Sequence, residues 1–206
     1  MSRWSGFSCL PNWRRGALFA DVTSFRDSTM KTRSFCLAIG LLWAVGSWAA
    51  EASFKVSEFS FTPPTGWESV PVASQMRKAQ LKVVDSKTKE AADVIFFHFG
   101  QGDGGGTKAN VERWLSQFQE PRDKINAKSE EVTVGKHKVT YVQAEGTYMS
   151  GMPGAASTPM ADYGLLGAII ESDQGNVFIR MTGPKKLVKA SQKDFKKMVE
   201  GAVKGG

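Results

Sequence analysis

Residues 94–118 read VIFFHFGQGDGGGTKANVERWLSQF, and this stretch decides the fold. The segment from Val94 to Phe99 is nearly all apolar, which predicts a central strand covered on both faces. Five glycines between Gly100 and Gly106 then interrupt the chain. From Asn110 to Phe118 the apolar residues fall at i, i+3, i+4 and i+7, which predicts an amphipathic helix. We expect Thr107 or Asn110 to cap this helix.

The residues before this stretch alternate as strands do. The alternation from Phe54 to Phe61 predicts a first strand, and Thr62–Gly66 (TPPTG) forms a tight bend that leads into Trp67. Farther along, Ala79, Leu81 and Val83 share one face of a half-buried strand.

The residues after it predict four further strands and a terminal helix. The strands cover residues 132–134, 136–149, 164–171 and 177–182, and Asp173–Asn176 turns the last pair into a hairpin. The helix covers 185–203, with its apolar side formed by Leu187, Ser191, Phe195, Met198 and Ala202. This order predicts an α+β fold in which helices flank an antiparallel sheet.

The element order is similar to that of a known fold family. The segment Phe61–Trp67 (FTPPTGW), with its Pro-x-Gly-Trp bend, precedes a strand-rich middle and a closing helix. This arrangement resembles the exported proteins of the PsbP and DcrB type over most of residues 53–206. The resemblance implies an α/β/α sandwich and an accessory or envelope role, and it offers no catalytic residue to carry over.

An export signal precedes this domain. Residues 30–52 read MKTRSFCLAIGLLWAVGSWAAEA, a basic start followed by an apolar run and small residues, which predicts a cleaved signal peptide and a periplasmic or secreted protein. The alternative is a retained anchor, but residues 35–50 are 16 in number, and a spanning helix needs roughly 20. We therefore expect no stable transmembrane span after cleavage. We interpret residues 1–29 as a disordered extension from a misassigned start, with Met30 as the true one.

Cleavage leaves a single domain, residues 53–206. Removing six of 27 basic and three of 20 acidic residues leaves 21 and 17, a net charge of +4. Both cysteines, Cys9 and Cys36, are removed as well, so the domain must be held by an ordinary core. A location outside the cytoplasm argues against ATP-driven and nicotinamide-driven chemistry, and we expect no cofactor.

The glycine-rich loop matches the pattern G-x-G-x-x-G. Three interpretations remain open: a dinucleotide site, a plain connection, or a small-anion site formed by the backbone amides of Gly102, Gly104, Gly105, Gly106 and Thr107. Because antiparallel pairing is expected around the preceding strand, the dinucleotide site is the least favoured of the three.

His98 is the residue on which an enzymatic alternative depends. A hydrolytic or metal-assisted enzyme would need more partners than Asp93 and Asp103 supply at their spacing, and no G-x-S-x-G elbow follows a strand. We therefore interpret His98 as a packing residue and expect no catalytic residues and no metal ligands.

Two further features are candidates for partner contact. The terminal helix carries a lysine stripe with Lys189 and Lys193, which would suit an anionic envelope component, although such stripes are commonly solvated faces. The segment from Tyr148 to Tyr163 contains Met152 and is predicted to be a long loop, which is either a partner-contact surface or a plain mobile insertion. Nucleic acid is excluded because no aromatic residues are interleaved with the lysines. The sequence thus predicts a non-enzymatic envelope module whose partner is an envelope protein or an anionic envelope component.

Overall fold

A computed structural model describes residues 52–151 and 156–205. The extension 1–29, the signal segment up to residue 51 and the candidate contact Met152 lie outside the described residues. All described residues belong to one compact unit.

The described ranges contain nine strands and two helices. In chain order they are β1 (Phe54–Val56), β2 (Phe59–Phe61), β3 (Trp67–Ser69), β4 (Arg77–Val84), β5 (Ala91–His98), α1 (Thr107–Leu115), β6 (Lys128–Val134), β7 (His137–Ser150), β8 (Thr158–Ile170), β9 (Val177–Pro184) and α2 (Lys185–Lys204).

Seven strands form one sheet in the order β3-β4-β5-β9-β8-β7-β6, and β1 pairs with β2 in a separate hairpin. All of these pairs are antiparallel. The predicted α+β class with an antiparallel sheet is confirmed. The strand β5 lies inside the sheet, and Val94, Ile95 and Phe96 are buried, as the apolar run predicts. The predicted coverage of both faces is wrong at the end of the run, where Phe97 is half-buried and Phe99, beyond the strand, is 38% exposed.

Two apolar clusters lie on opposite faces of this sheet. The side chains of α1 pack with Leu165 and Ile169, whereas those of α2 pack with Leu166 and Ile170. Neighbouring residues of a strand point to opposite faces, so the two clusters lie on opposite sides of β8. The predicted apolar side of α2 is buried along its length.

Trp114 anchors α1 to the sheet. Its indole ring is 3% exposed and lies directly over Gly167 of β8, where a Cβ atom would come within 2.3 Å of the ring's Cζ3. Val111, Leu115 and Phe118 belong to the same cluster. Trp114 and these neighbours together form the buried contact between α1 and the sheet.

The prediction of one strand over Phe54–Phe61 is wrong, because the chain reverses at Ser57 to form the β1–β2 hairpin. Ser57 has a φ of 55°, in the left-handed region that tight turns use. In a straight strand Val56 and Phe59 would point to opposite faces. The reversal allows Val56, Phe59 and Phe61 to enter the same core.

The predicted loop from Tyr148 to Tyr163 is also corrected. The strands β7 and β8 continue as a hairpin, in which Tyr148 pairs with Met160 and Ser150 with Thr158, after a register shift beyond Gly146. The strand β6 begins at Lys128, four residues before the predicted start. The prediction missed these residues because they are exposed on the edge of the sheet and carry no apolar alternation.

The boundaries predicted for the first helix are wrong. Its N-cap is Gly106, and no side chain makes a capping hydrogen bond. Thr107 is the first helical residue and donates its hydroxyl to Glu171 Oε1 at 2.6 Å. Asn110 lies inside the helix, and its side-chain amide donates to the carbonyls of Gly104 and Gly106 at 2.9 and 3.0 Å. The helix ends at Leu115, and Phe118 forms a bridge to Tyr148.

Candidate functional site

The glycine-rich loop packs against the rings of Phe99 and Phe178 and is hydrogen-bonded to α1. A Cβ atom on Gly104, whose φ is +83°, would lie 2.7 Å from Phe99 Cδ2 and 3.0 Å from Phe178 Cε2. Asn110 fixes the loop carbonyls described above. Because β5 pairs antiparallel with both of its neighbours, the strand, loop and helix do not form the parallel unit that dinucleotide sites use.

His98 lies at the end of β5 with its Nδ1 atom 3.3 Å from the Asn176 carbonyl oxygen. His137 packs its ring against Phe59 at 5.0 Å and places Nδ1 2.9 Å from the carbonyl of Glu171. Among the residues that the structure describes, no group of three His, Cys, Asp or Glu side chains is arranged to hold a metal ion.

The predicted contact residues do not meet in one place. Gly102, Gly104, Gly105, Gly106 and Thr107 lie at the start of α1. Tyr163 of β8 stacks on Tyr148 at 6.4 Å on that same face of the sheet, whereas Lys189 and Lys193 lie on α2. The structure therefore separates the loop from the lysine stripe.

A groove runs between α2 and strands β6, β7 and β8. One part has a volume of about 490 Å³ and the adjoining part about 280 Å³. Both parts are lined by Lys128, Gln143, Leu166 and Gln192, so they form one continuous feature, here called the α2 groove. Lys189 lines it and Lys193 does not. The size is typical of small-molecule sites.

The middle of the groove combines apolar and amide groups. Leu166 and Phe195, both buried, supply its apolar lining. Gln192 of α2 donates its side-chain amide to Gln143 Oε1 of β7 at 3.0 Å. This bond spans the gap between helix and sheet, and it leaves further donors and acceptors on both amides.

Tyr141 supplies the groove with a hydroxyl that has no partner. Its oxygen is buried without a hydrogen bond in the described part of the chain. Burial raises the pKa of this hydroxyl, and the nearby carboxylates of Glu200 and Glu130 raise it further, so the group remains a neutral O–H donor. Lys196 Nζ lies 4.8 Å above the ring and 3.1 Å from Glu130 Oε2.

Two of the lysines at the groove are not neutralised. Lys196 pairs with Glu130, and Lys185 pairs with Asp162 at 3.4 Å. Lys128 and Lys189 form no ion pair within residues 52–151 and 156–205. Four lysines and two carboxylates, Glu130 and Glu145, line the groove, so it presents an excess of positive charge beside an apolar lining.

Most of these groove residues were not predicted from the sequence to be site residues. Tyr141 and Gln143 are two apart in β7 and so share a face, and a glutamine in a largely apolar strand is a usable signal. Lys128 and Gln192 carry no comparable signal, because each is one polar residue among many on its own element.

No family model and no curated protein matches the sequence. No helix in the described part is both long and apolar enough to cross a membrane. The solution structure of cyanobacterial PsbP (CyanoP) from Synechocystis sp. PCC 6803 is similar to this chain, with a TM-score of 0.47 and 12% identity, covering 75% of this chain and 92% of that chain.

Proposed function

We propose that this chain is an exported, non-enzymatic envelope module that binds an anionic amphiphile in the α2 groove. The observation that carries the proposal is the groove itself, in which an apolar lining lies beside two unpaired lysines. In this proposal the finer architecture is an α/β/α sandwich of the PsbP type, with the ligand between α2 and the sheet.

The chemistry of the groove suits a ligand with two different ends. An apolar portion would cover Leu166 and Phe195, where burial of apolar surface stabilises a complex by roughly 25 cal/mol per Å². An anionic group would lie near Lys128 and Lys189. The Tyr141 hydroxyl, which the folded chain leaves without an acceptor, would donate to an oxygen of the ligand.

The proposal is tested with two soluble lipids that share their acyl chains. Calorimetric titration with dihexanoyl phosphatidylglycerol and dihexanoyl phosphatidylcholine, both as monomers, separates the effect of net charge from that of the apolar portion. We expect the anionic lipid, dihexanoyl phosphatidylglycerol, to bind more tightly than dihexanoyl phosphatidylcholine. The double variant Lys128→Gln/Lys189→Gln should lose roughly 2 kcal/mol, about 30-fold in affinity, at about 1 kcal/mol for each lysine.

A matched control removes the same charge elsewhere. Lys55 and Lys136 are exposed and do not line the groove, so Lys55→Gln/Lys136→Gln should bind within about twofold of the parent. Equal losses in both double variants would show general charge attraction and contradict a groove site.

The proposed export has a separate test. Mass spectrometry of the protein recovered outside the cytoplasm should find an N-terminus near Ser53, after the small residues Ala50 and Ala52. Recovery of residues 1–29 on the exported protein would contradict both the signal peptide and the start at Met30.

A further inference from the structure

The first helix covers only part of its face of the sheet. Its side chains pack over β7, β8 and Phe178, and the same face of β4 and β5 lies beyond them. Phe97 packs against the edge of the α1 cluster and is half-buried, and its ring stacks on Phe99 at 6.2 Å. Phe99 is 38% exposed, so an aromatic surface is open to solvent there.

Three arginines from three elements border this surface. Arg77 of β4 lies opposite Phe97, and Arg180 of β9 lies opposite Ile95. Phe97 and Ile95 are two apart on β5, so both arginines are on the same face. Arg180 donates to Gln117 Oε1 at 2.8 Å. Gln117 follows α1 directly, and Arg113, in the last turn of that helix, lies close enough for its charge to act on Arg180.

Their hydrogen-bond partners are neutral. Arg77 donates to Gln80 Oε1 at 2.7 Å, and Arg113 donates to Asn110 Oδ1. In the described ranges none of the three arginines forms an ion pair. The carboxylate of Asp93 reaches the group only through Gln80, whose Nε2 lies 3.3 Å from Asp93 Oδ1.

Arg180 shows that the positive charge is not compensated. Its Nε atom is buried without an acceptor in the described chain. Burial is the largest influence and lowers the pKa of this guanidinium; Tyr148 raises it by a smaller amount, and the charges of Arg77 and Arg113 lower it further. Mutual repulsion among three cations is relieved most directly by an anion placed between them.

We propose that Arg77, Arg113 and Arg180 form a binding site for a phosphate group, with Phe97 and Phe99 contacting the organic part that carries it. A phosphate carries close to two negative charges and three strong acceptor oxygens. The planar guanidinium fork matches such oxygens in pairs. This site is on the face opposite α2 and does not depend on the proposed groove.

The test uses the purified full chain and three probes. Inorganic phosphate reports the anion alone, phenyl phosphate adds an aromatic group, and phosphatidylcholine vesicles containing phosphatidic acid present the same group as a lipid headgroup. We expect phenyl phosphate to bind more tightly than phosphate. Arg77→Gln and Arg113→Gln should each weaken its binding about tenfold, as expected for the loss of a charged hydrogen-bond donor.

Arg122→Gln is the matched control, because this exposed arginine is paired with Glu112 outside the cluster, and it should change the affinity less than twofold. Because phenyl phosphate also combines an apolar and an anionic part, the Arg77→Gln loss is measured again in the Lys128→Gln/Lys189→Gln background, where it should persist; this separates the arginine site from the groove. If the protein binds the phosphatidic acid vesicles but neither soluble probe, and Arg77→Gln weakens the vesicle binding, the phosphate group that the site recognises is that of a lipid headgroup. Binding of no probe, or equal losses in Arg113→Gln and Arg122→Gln, would overturn the proposal.

Discussion

The contact between Trp114 and Gly167 gives the sharpest test of the core. Trp114→Ala removes a ring that is 3% exposed, and loss of a buried tryptophan costs about 3–5 kcal/mol. Gly167→Ala places a methyl group 2.3 Å from Cζ3 and 2.6 Å from Cε3 of the same ring. Overpacking of this kind costs about 1–3 kcal/mol. In the double variant the ring is absent, so the added methyl group should cost almost nothing.

Urea unfolding of the parent, the two single variants and the double variant completes the cycle. We expect the double variant to be about as stable as Trp114→Ala, which gives a coupling of about 1–3 kcal/mol. Gly201→Ala is the control, because a Cβ atom there meets nothing within 4 Å. Alanine in place of this helical glycine should raise the free energy of unfolding by about 0.5–1 kcal/mol. Additive losses at positions 114 and 167 would refute the packing described here.

Three further predictions concern stability. Asn110→Ala leaves two loop carbonyls without their donor and should lower the free energy of unfolding by about 1–3 kcal/mol in urea; an unchanged value would show that the loop does not need this residue. Glu120 accepts hydrogen bonds from Thr147, which lower its pKa below the usual 4.5. The stability that Glu120 contributes is therefore fully present above pH 4.5 and is lost as the pH falls through its lowered pKa in the folded state. Glu120→Gln should flatten the acid side of a plot of melting temperature against pH, and an unaltered plot would disprove this. Lys193→Gln/Lys197→Gln should stay within about 0.5 kcal/mol of the parent in the same urea assay, as exposed positions do; a larger loss would place them in the core.

The sequence predicted those parts of the fold in which periodicity reports burial. The strand around Val94–Phe96 follows from its continuous apolar run. The apolar side of α2 follows from apolar residues spaced three and four apart. Antiparallel pairing followed from the turn at 173–176. The start of α1 was misplaced because Asn110 is a frequent capping residue, yet here it bonds the loop carbonyls from inside the helix.

The α2 groove could not be predicted because it depends on tertiary contacts. Lys128, Gln143 and Gln192 come from three elements, and only the sheet order brings them together. The arginine cluster is similar, since Arg77, Arg113 and Arg180 are far apart in the chain. One local signal existed, because an arginine at position 180 interrupts an otherwise apolar strand, and a charge at such a position requires a partner.

The central claim is that α2 and the sheet enclose the ligand site, and backbone amide chemical shifts test it most directly. On titration with dihexanoyl phosphatidylglycerol, the largest shift changes should occur at Gln143, Leu166 and Gln192, which line both parts of the groove. Changes centred on Gly102–Thr107, or spread evenly over the exposed lysines, would contradict the account.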